Sequence, residues 1–381
     1  MAIEKKDLNT INDIQIKATN NRTFFQDTRS IIFWTNEFSF NPTFITQPSD
    51  VLELGVSGLD VDHNFYKLVA SAYSQDYTPL VVVVYGDNVS ADFTNLINTY
   101  KDNENAFEVT NWVTNIDVVA NKTLFDSAIE YAKTDKEIQM SFGIEFSKFT
   151  SVQDIVTLQT TANANDVSLI VEGAKNTALG NWLTGAIWGG NIGAKELGSY
   201  TVHPLEIKGF VQETFTKTEQ KAMWDAGLNY LSKPTRGYMH VVNGMNTDNK
   251  TFIELNLIRI WLTDQLKKRI SITQITMDKL PLFGAGKNIL TGIISEVCRE
   301  GASKGMFLTD NSGDYLGVII QTDNNGNKLQ IKLGHLIVDT ITQDNMREGK
   351  LSFDLKLTYE NGVRFVELRG EVTTDGELLL S

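Results

Sequence analysis

Gly284-Ala285-Gly286-Lys287-Asn288 is the stretch nearest to a phosphate-binding loop. Such a loop cradles phosphate on successive backbone N–H groups. It needs four residues between its glycines and Ser or Thr after the Lys. Ala285 alone separates Gly284 from Gly286, and Asn288 follows Lys287, so these glycines read as the turn into a helix. Asp60-Val61-Asp62-His63-Asn64 opens like a calcium loop, but Phe65 stands at the glycine position and Ser71 at the bidentate glutamate position. His63, His203, His240 and His335 show no ligand spacing, and Cys298 is the one cysteine, so no zinc site is spelled out. Neither a Gly-x-Ser-x-Gly elbow nor a dinucleotide Gly-x-Gly-x-x-Gly occurs. The expectation is therefore no catalytic residue, no cofactor, no metal and no enzyme. Carboxylate pairs are a matter of distance and cannot be read from a sequence. An α/β enzyme with an unrecognised site in residues 30–197 stays as the alternative, and a set of titratable groups converging on one pocket would mark it.

The elements that would position such groups come next. A chain of 381 residues exceeds one ordinary core, so two or three domains are expected. Hydrophobic residues make up 41% and charged residues 21%, which is globular composition. No long Pro-, Gly- or Ser-rich linker separates the parts. Cys298 leaves no internal disulfide and reads as a buried, inert thiol. No basic segment leads into an apolar one near the start, so no signal peptide is expected. Leu80–Tyr85 is apolar but far short of a membrane span. Charge is uneven. Residues 1–234 carry 17 Lys and Arg against 29 Asp and Glu, and residues 235–381 carry 17 against 18. The acidic first part argues against nucleic acid as a partner. It suits a solvent-facing region, with the near-neutral part facing protein.

Period-2 alternation over Ile14-Gln15-Ile16-Lys17-Ala18 predicts a short strand near the N-terminus, with nothing adjacent to pair it. Ile31–Trp34, Leu80–Tyr85, Ile138–Ile144 and Val167–Glu172 read as buried strands. Helical spacing over Phe65–Ala72, Phe93–Tyr100, Leu124–Ala132 and Val152–Ala164 interleaves them, which is the pattern of an α/β sheet. The small residues of 178–190 permit close packing. A helix is expected over Thr218–Leu231, capped by Thr218, and a strand over Tyr238–Val242. Phe252–Ile270 reads as the longest helix, with Phe252, Leu255, Ile258, Leu262 and Leu266 on its apolar face. Trp261 on this helix reads as a core anchor or an interface residue. Lys267-Lys268-Arg269 reads either as complementing the dipole in the last turn or as contacting an acidic protein. Lys287–Ala302 follows as a second helix. Asp323-Asn324-Asn325-Gly326-Asn327 and Glu360-Asn361-Gly362 then read as hairpin turns between the last strands.

Residues 198–372 resemble contractile tail sheath proteins in the order of their parts. Gly198-Ser199-Tyr200-Thr201 and Gly209-Phe210 lead in. A strand with Gly237 and Gly244 follows, then a helix carrying Phe252-Ile253-Glu254 and Trp261-Leu262, then Pro281, a second helix and hairpins. Glu254 stands where the family often has Asp, and Asn229-Tyr230 is a partial form of its Tyr/Asn tract. Residues 30–197 follow the family pattern loosely.

The resemblance implies a mixed α/β, multidomain chain. A linking arm would occupy residues 1–20, an outer acidic α/β region 21–197, an inner α+β sheath domain 198–360 and a terminal strand 361–381. It implies a structural subunit of a bacteriophage virion, assembled in the host cytoplasm. Copies would form hexameric rings stacked as a helical sheath around the tail tube protein, bounded by baseplate and tail terminator proteins, with no nucleic acid or membrane contact. Contraction would drive the tube through the cell envelope during genome delivery. Ile14, Gln15, Ile16 and Lys17, with Phe365, Val366, Glu367 and Leu368, would be exchanged between neighbouring sheets. Lys267, Lys268, Arg269 and Lys287 would face the tube. Another tail or baseplate component is the remaining structural alternative.

Overall fold

In the computed structural model, the described residues are 29–380 apart from 136, 204, 212–214, 236–237, 278–284, 311, 323–327, 339–350, 359–364 and 373–377. The chain divides into two compact units, one of Thr23–Ile260 and one that comprises Trp261–Ser381.

The first unit is built on a six-stranded sheet. Its strands are β1 (Ser30–Thr35), β2 (Phe40–Ile45), β3 (Val81–Gly86), β4 (Asn111–Thr114), β5 (Gln139–Glu145) and β6 (Val167–Glu172), in the order β2-β3-β1-β4-β5-β6. All neighbours pair in parallel except β2, which runs antiparallel to β3 at the edge. The runs Ser30–Thr35, Val81–Gly86 and Val167–Glu172 are buried at every position. Both faces of the sheet are covered, which is what their continuous apolar sequence demands. β2 carries Pro42, and an edge is where a strand tolerates the missing N–H. Aromatic side chains knit one face. Phe93 lies 5.4 Å from Trp34 and 5.5 Å from Trp112, and Phe125 lies 4.9 Å from Phe142, ring centre to ring centre.

The glycines of 178–190 bring another segment onto helix Asn64–Ala72. A Cβ placed on Gly185 would lie 2.1 Å from the Leu68 carbonyl oxygen, and one on Gly189 would lie 2.1 Å from the Ala72 Cβ. Neither position can hold a side chain unless the backbones separate. Gly189→Val should therefore destabilise the first unit by about 3 kcal/mol, the upper end of ordinary overpacking. A urea-unfolding midpoint equal to that of the parent chain would contradict this contact. The same segment is anchored by Glu172, which is fully buried at the end of β6. Its carboxylate accepts the N–H of Leu183 and of Thr184, each at 2.7 Å, and the Thr184 hydroxyl at 2.5 Å. It thereby satisfies the opening turn of helix Leu183–Ile187.

Residues 198–260 belong to the same compact unit as the six-stranded sheet. The reason is stitching to the β6 edge. Asn229 takes the position next to Ile170 in parallel register, and its side-chain amide donates to the Leu169 and Met245 carbonyls at 2.9 and 2.7 Å. The expected helix Thr218–Leu231 is shorter, at Lys217–Asp225. Thr216, not Thr218, caps it, in a reciprocal pair with Glu219, and Gly227 adopts a left-handed φ of 73° just beyond its end. Leu231 instead belongs to β8 (Tyr230–Thr235). That strand joins β7 (Leu205–Glu206) and β9 (Tyr238–Val242) in a small antiparallel sheet ordered β7-β9-β8.

The long helix runs from Ile253 to Thr276, and the second long helix from Ala285 to Ser303. In the second unit they accompany a five-stranded antiparallel sheet. It comprises β10 (Gly317–Thr322), β11 (Lys328–Val338), β12 (Leu351–Thr358), β13 (Phe365–Val372) and β14 (Leu378–Leu380), in that order. Phe353, Leu355 and Leu357 alternate inward along β12, and the Tyr315 hydroxyl donates to the Ser295 carbonyl of the second helix at 3.1 Å. Gly301 lies within that helix. A Cβ there would meet the Phe307 ring at 2.3 Å, so the glycine serves packing, while Gly305 takes the left-handed turn after the helix. Cys298 is fully buried and its thiol is pushed up to about 12 by burial. The fold is thus mixed, α/β in the first unit and α+β in the second. The two expected hairpin turns lie outside the described residues, while the strands flanking them pair antiparallel.

Candidate functional site

The basic cluster of the long helix is not at its end. The helix continues through Ser271–Thr276, which places Arg269 well before the last turn, so dipole complementation is not its role. Arg269 binds Glu296 at 2.7 Å and also Glu300, both on the second helix. Lys304 pairs with Glu300 at 3.0 Å and sets its ammonium 5.4 Å from the centre of the buried Trp261 ring. Arg269 and Trp261 therefore hold the helix pair together. Lys268 and Lys287 are exposed, and Lys267 is half-buried. Beyond the cluster, Ile272 and Ile275 point to solvent with about half their surfaces open, at 51% and 54%.

The terminal sheet presents the other candidate surface. Phe365, Val366, Glu367 and Leu368 stand opposite Thr358, Leu357, Lys356 and Leu355, so within the single chain they pair with β12 and their strand lies between β12 and β14. Ile14, Gln15, Ile16 and Lys17 lie outside the described residues. β10 forms one edge of the sheet, with Val318 51% and Ile320 59% exposed. An edge strand of this kind, with no proline or lysine among Gly317–Thr322, is a template for a further strand.

The first unit has the strand order in which α/β sheets take small ligands, at the carboxyl ends of the strands where the order reverses, here β1 and β4. That crevice is spanned by side-chain amides. Asn36 donates to the Asn121 side-chain oxygen at 2.7 Å, and Asn115 donates to the Asn64 carbonyl at 2.9 Å. The Asp60–Asn64 stretch is explained by the helix it opens. His63 Nδ1 accepts the Phe65 N–H at 3.1 Å, and its Nε2 lies 2.7 Å from Glu37. Among the described residues, no group of three or more His, Cys, Asp or Glu side chains is arranged to hold a metal ion, and no helix is long and apolar enough to cross a membrane.

A buried polar network, illegible in the sequence, joins the start of the long helix to the sheet. Arg259 donates to Asp166 at 2.7 Å and to the Asn256 side-chain oxygen at 2.7 and 3.0 Å. Asn256 donates to Gln139 at 2.7 Å, and Gln139 donates to Asn246 at 2.9 Å. Asp166, Gln139 and Asn246 are fully buried and Asn256 is 1% exposed.

The fold is similar to that of solved chains from contractile systems, sheath proteins among them. The chain superposes on a chain of the anti-feeding prophage baseplate with a TM-score of 0.58 at 13% identity, covering 89% of this chain and 91% of that one. It matches the sheath complex of the extracellular contractile injection system PVC, in its contracted state, with a TM-score of 0.57 at 13% identity, over 87% and 88% of the two chains. The sheath tail protein Lin1278 from Listeria innocua matches with a TM-score of 0.58 at 10% identity, over 96% of this chain and 99% of that one. At the level of sequence, no family model and no curated protein matches the chain.

Proposed function

We propose that this chain is the structural subunit of a contractile sheath. The observation that carries the reading is the agreement of fold over nearly the full length of both chains in each comparison, since a shared α/β layer alone would match only in part. The amide-spanned crevice at the β1–β4 switch point favours this over the enzyme reading. In the proposal, copies assemble as stacked hexameric rings around a tube protein, with baseplate and terminator proteins at the ends. Contraction drives the tube through a cell envelope, and a bacteriophage virion delivering its genome is the setting we favour. Ile14–Lys17 and Phe365–Leu368 are the segments lent between neighbours, and the open β10 edge supports a sheet that gains strands. Contraction is then rigid-body movement of subunits that stay linked through these arms. Lys268 and Lys287, with Lys267, are proposed to face the tube; Arg269 is committed to Glu296 and Glu300 within the chain.

Negative-stain electron microscopy of the purified chain, over a range of protein and salt concentrations, tests the reading. Hollow tubes or stacked rings are expected, alone or on addition of the cognate tube protein. Dispersed particles under both conditions would overturn it.

A further inference from the structure

Leu179 is 63% exposed and Val211 40% exposed, and the fold brings them together on the first unit. Asn176 accepts the Val211 N–H on its side-chain oxygen at 2.7 Å, and Asn181 donates to the Gly209 carbonyl at 2.8 Å. Segment 209–211 is thereby fastened to the turn 176–181 that carries Leu179, so the pair is held in place before any partner arrives. Two lysines flank it. Lys175 lies one turn before Leu179, whose N–H donates to the Lys175 carbonyl at 3.2 Å. Lys67 runs along Gly180, with its Cε 3.6 Å from where a Cβ on that glycine would stand. Neither ammonium has an acidic partner among the described residues. That stands out where residues 21–197 hold 10 Lys and Arg against 22 Asp and Glu.

The complementary surface lies on the other side of the sheet. Asp102 ends helix Phe93–Asp102, and Glu104 and Glu108 follow it. All three are exposed and make no ion pair among the described residues. Ala106 and Phe107, between them, are half-buried. Successive residues of a strand face opposite sides of its sheet. Ile32 and Trp34 of β1 share a core with Phe93 and Tyr100 of that helix. Ile31 faces the other side, where a Cβ on Gly193 would lie 2.4 Å from its Cδ1. Gly193 ends the glycine-rich segment packed on helix Asn64–Ala72, the helix of Lys67. The basic, apolar patch and the acidic turn are therefore on opposite layers of the first unit, with the sheet between them.

We propose that Leu179, Val211, Lys67 and Lys175 dock on the acidic turn 102–108 of a second copy of this chain. Charge complementarity selects this occupant, since each surface carries charges that its own copy leaves unpaired. The two surfaces differ and lie on opposite layers, so the contact is heterologous. Each copy then keeps one surface of each kind for the next copy, and the contact propagates as a ring or a filament. Asp60-Val61-Asp62 also sets an exposed apolar side chain between two carboxylates. It precedes the helix that carries Lys67, so pairing there would be two-fold and would close after two copies, whereas a sheath needs contacts that continue. The inference rests on the sheath reading and names a surface through which one subunit meets the next.

Sedimentation velocity of the full-length chain at low salt reads the contact, with electron microscopy of the same samples. Lys67→Glu with Lys175→Glu, and separately Asp102→Lys with Glu104→Lys, should each weaken self-association about 10-fold or more, since exposed ion pairs become repulsions. Circular dichroism and unfolding midpoints equal to those of the parent establish that both variants fold. Mixing the two variants, or combining all four substitutions in one chain, should restore association, because each reversed surface again meets its opposite. Asp60→Lys with Asp62→Lys should leave association unchanged. Raising the salt to 1 M, where charges are screened beyond about 3 Å, should weaken the parent and the mixture alike. Bismaleimide cross-linking, to which the fully buried Cys298 is silent, should join Ala178→Cys chains to Asn105→Cys chains and neither kind to itself. Parent-like association of both charge-reversed variants, no recovery on mixing, or no self-association by the parent chain would overturn the proposal. Normal tubes from the charge-reversed variants would overturn it and leave the sheath reading standing. Charge-reversible association that yields neither tubes nor rings with tube protein present would keep this contact and sink the sheath reading.

Discussion

Arg259→Met should lower the stability of the first unit by about 3–5 kcal/mol, the usual cost of removing one partner from a buried ion pair. Asp166 is fully buried, and without its guanidinium it would have to hold its charge away from water or take up a proton. Asn256 would also lose both donors to its side-chain oxygen, in a position that water does not reach. The two losses reinforce each other because one arginine serves both groups. Adding Asp166→Asn should recover part of the loss, because a neutral amide is far less costly to bury than a carboxylate deprived of its cation. Urea denaturation of the parent chain, the two single variants and the double variant checks this as a thermodynamic cycle. A loss under about 1 kcal/mol for Arg259→Met would show that solvent compensates Asp166.

Deleting residues 1–20 should leave a folded chain that forms no tubes. The first unit begins at Thr23, and its sheet is complete from Ser30 onward, so the deletion removes none of its strands. What goes is the alternating Ile14-Gln15-Ile16-Lys17-Ala18 segment. Each main-chain hydrogen bond in an added strand contributes only about 0.5–1.5 kcal/mol. A lattice repeats that contribution at every subunit, so its loss should be all-or-none at the level of assembly. Circular dichroism and the unfolding transition should match those of the parent chain, while electron microscopy shows no tubes or stacked rings. Tubes of normal appearance from the deletion variant would remove strand exchange through this arm, though not the sheath reading itself.

The central parallel strands were legible because burial on both faces leaves a mark in sequence. Val81–Tyr85 and Val167–Val171 are runs of apolar residues broken by little else. β2 left no such mark, since an edge strand with Pro42 and several partly open residues alternates only weakly. Leu228 and Leu231 stand at helical spacing from each other, yet the helix ends at Asp225 and Gly227 turns left-handed before them, so the spacing is coincidental. The long helix was expected over Phe252–Ile270, and the Ser271–Thr276 stretch that continues it holds Ile and Thr, whose branched side chains suit a helix poorly. Packing on the helix before it carries those residues along. The pairing of Asp166 with Arg259 depends on folding and has no periodicity to betray it. The exposure of Lys268 against the commitment of Arg269 is likewise a matter of which helix face meets Glu296 and Glu300.

The anchor beneath helix Leu183–Ile187 responds to acid in an unusual direction. Burial outweighs the hydrogen bonds that Glu172 accepts and pushes its pKa from 4.5 up to about 7. Between those values the folded chain holds a proton that the unfolded chain gives up. The stability tied to that proton is fully present below the ordinary carboxyl pKa and is lost as pH rises through about 7. Asp87 works the other way: burial opposes its charge too, but donors from Ser90 and Val89 prevail and its pKa falls. Glu172 therefore adds stability to the first unit in mildly acidic surroundings, where a protein held only by ionised carboxylates would begin to loosen.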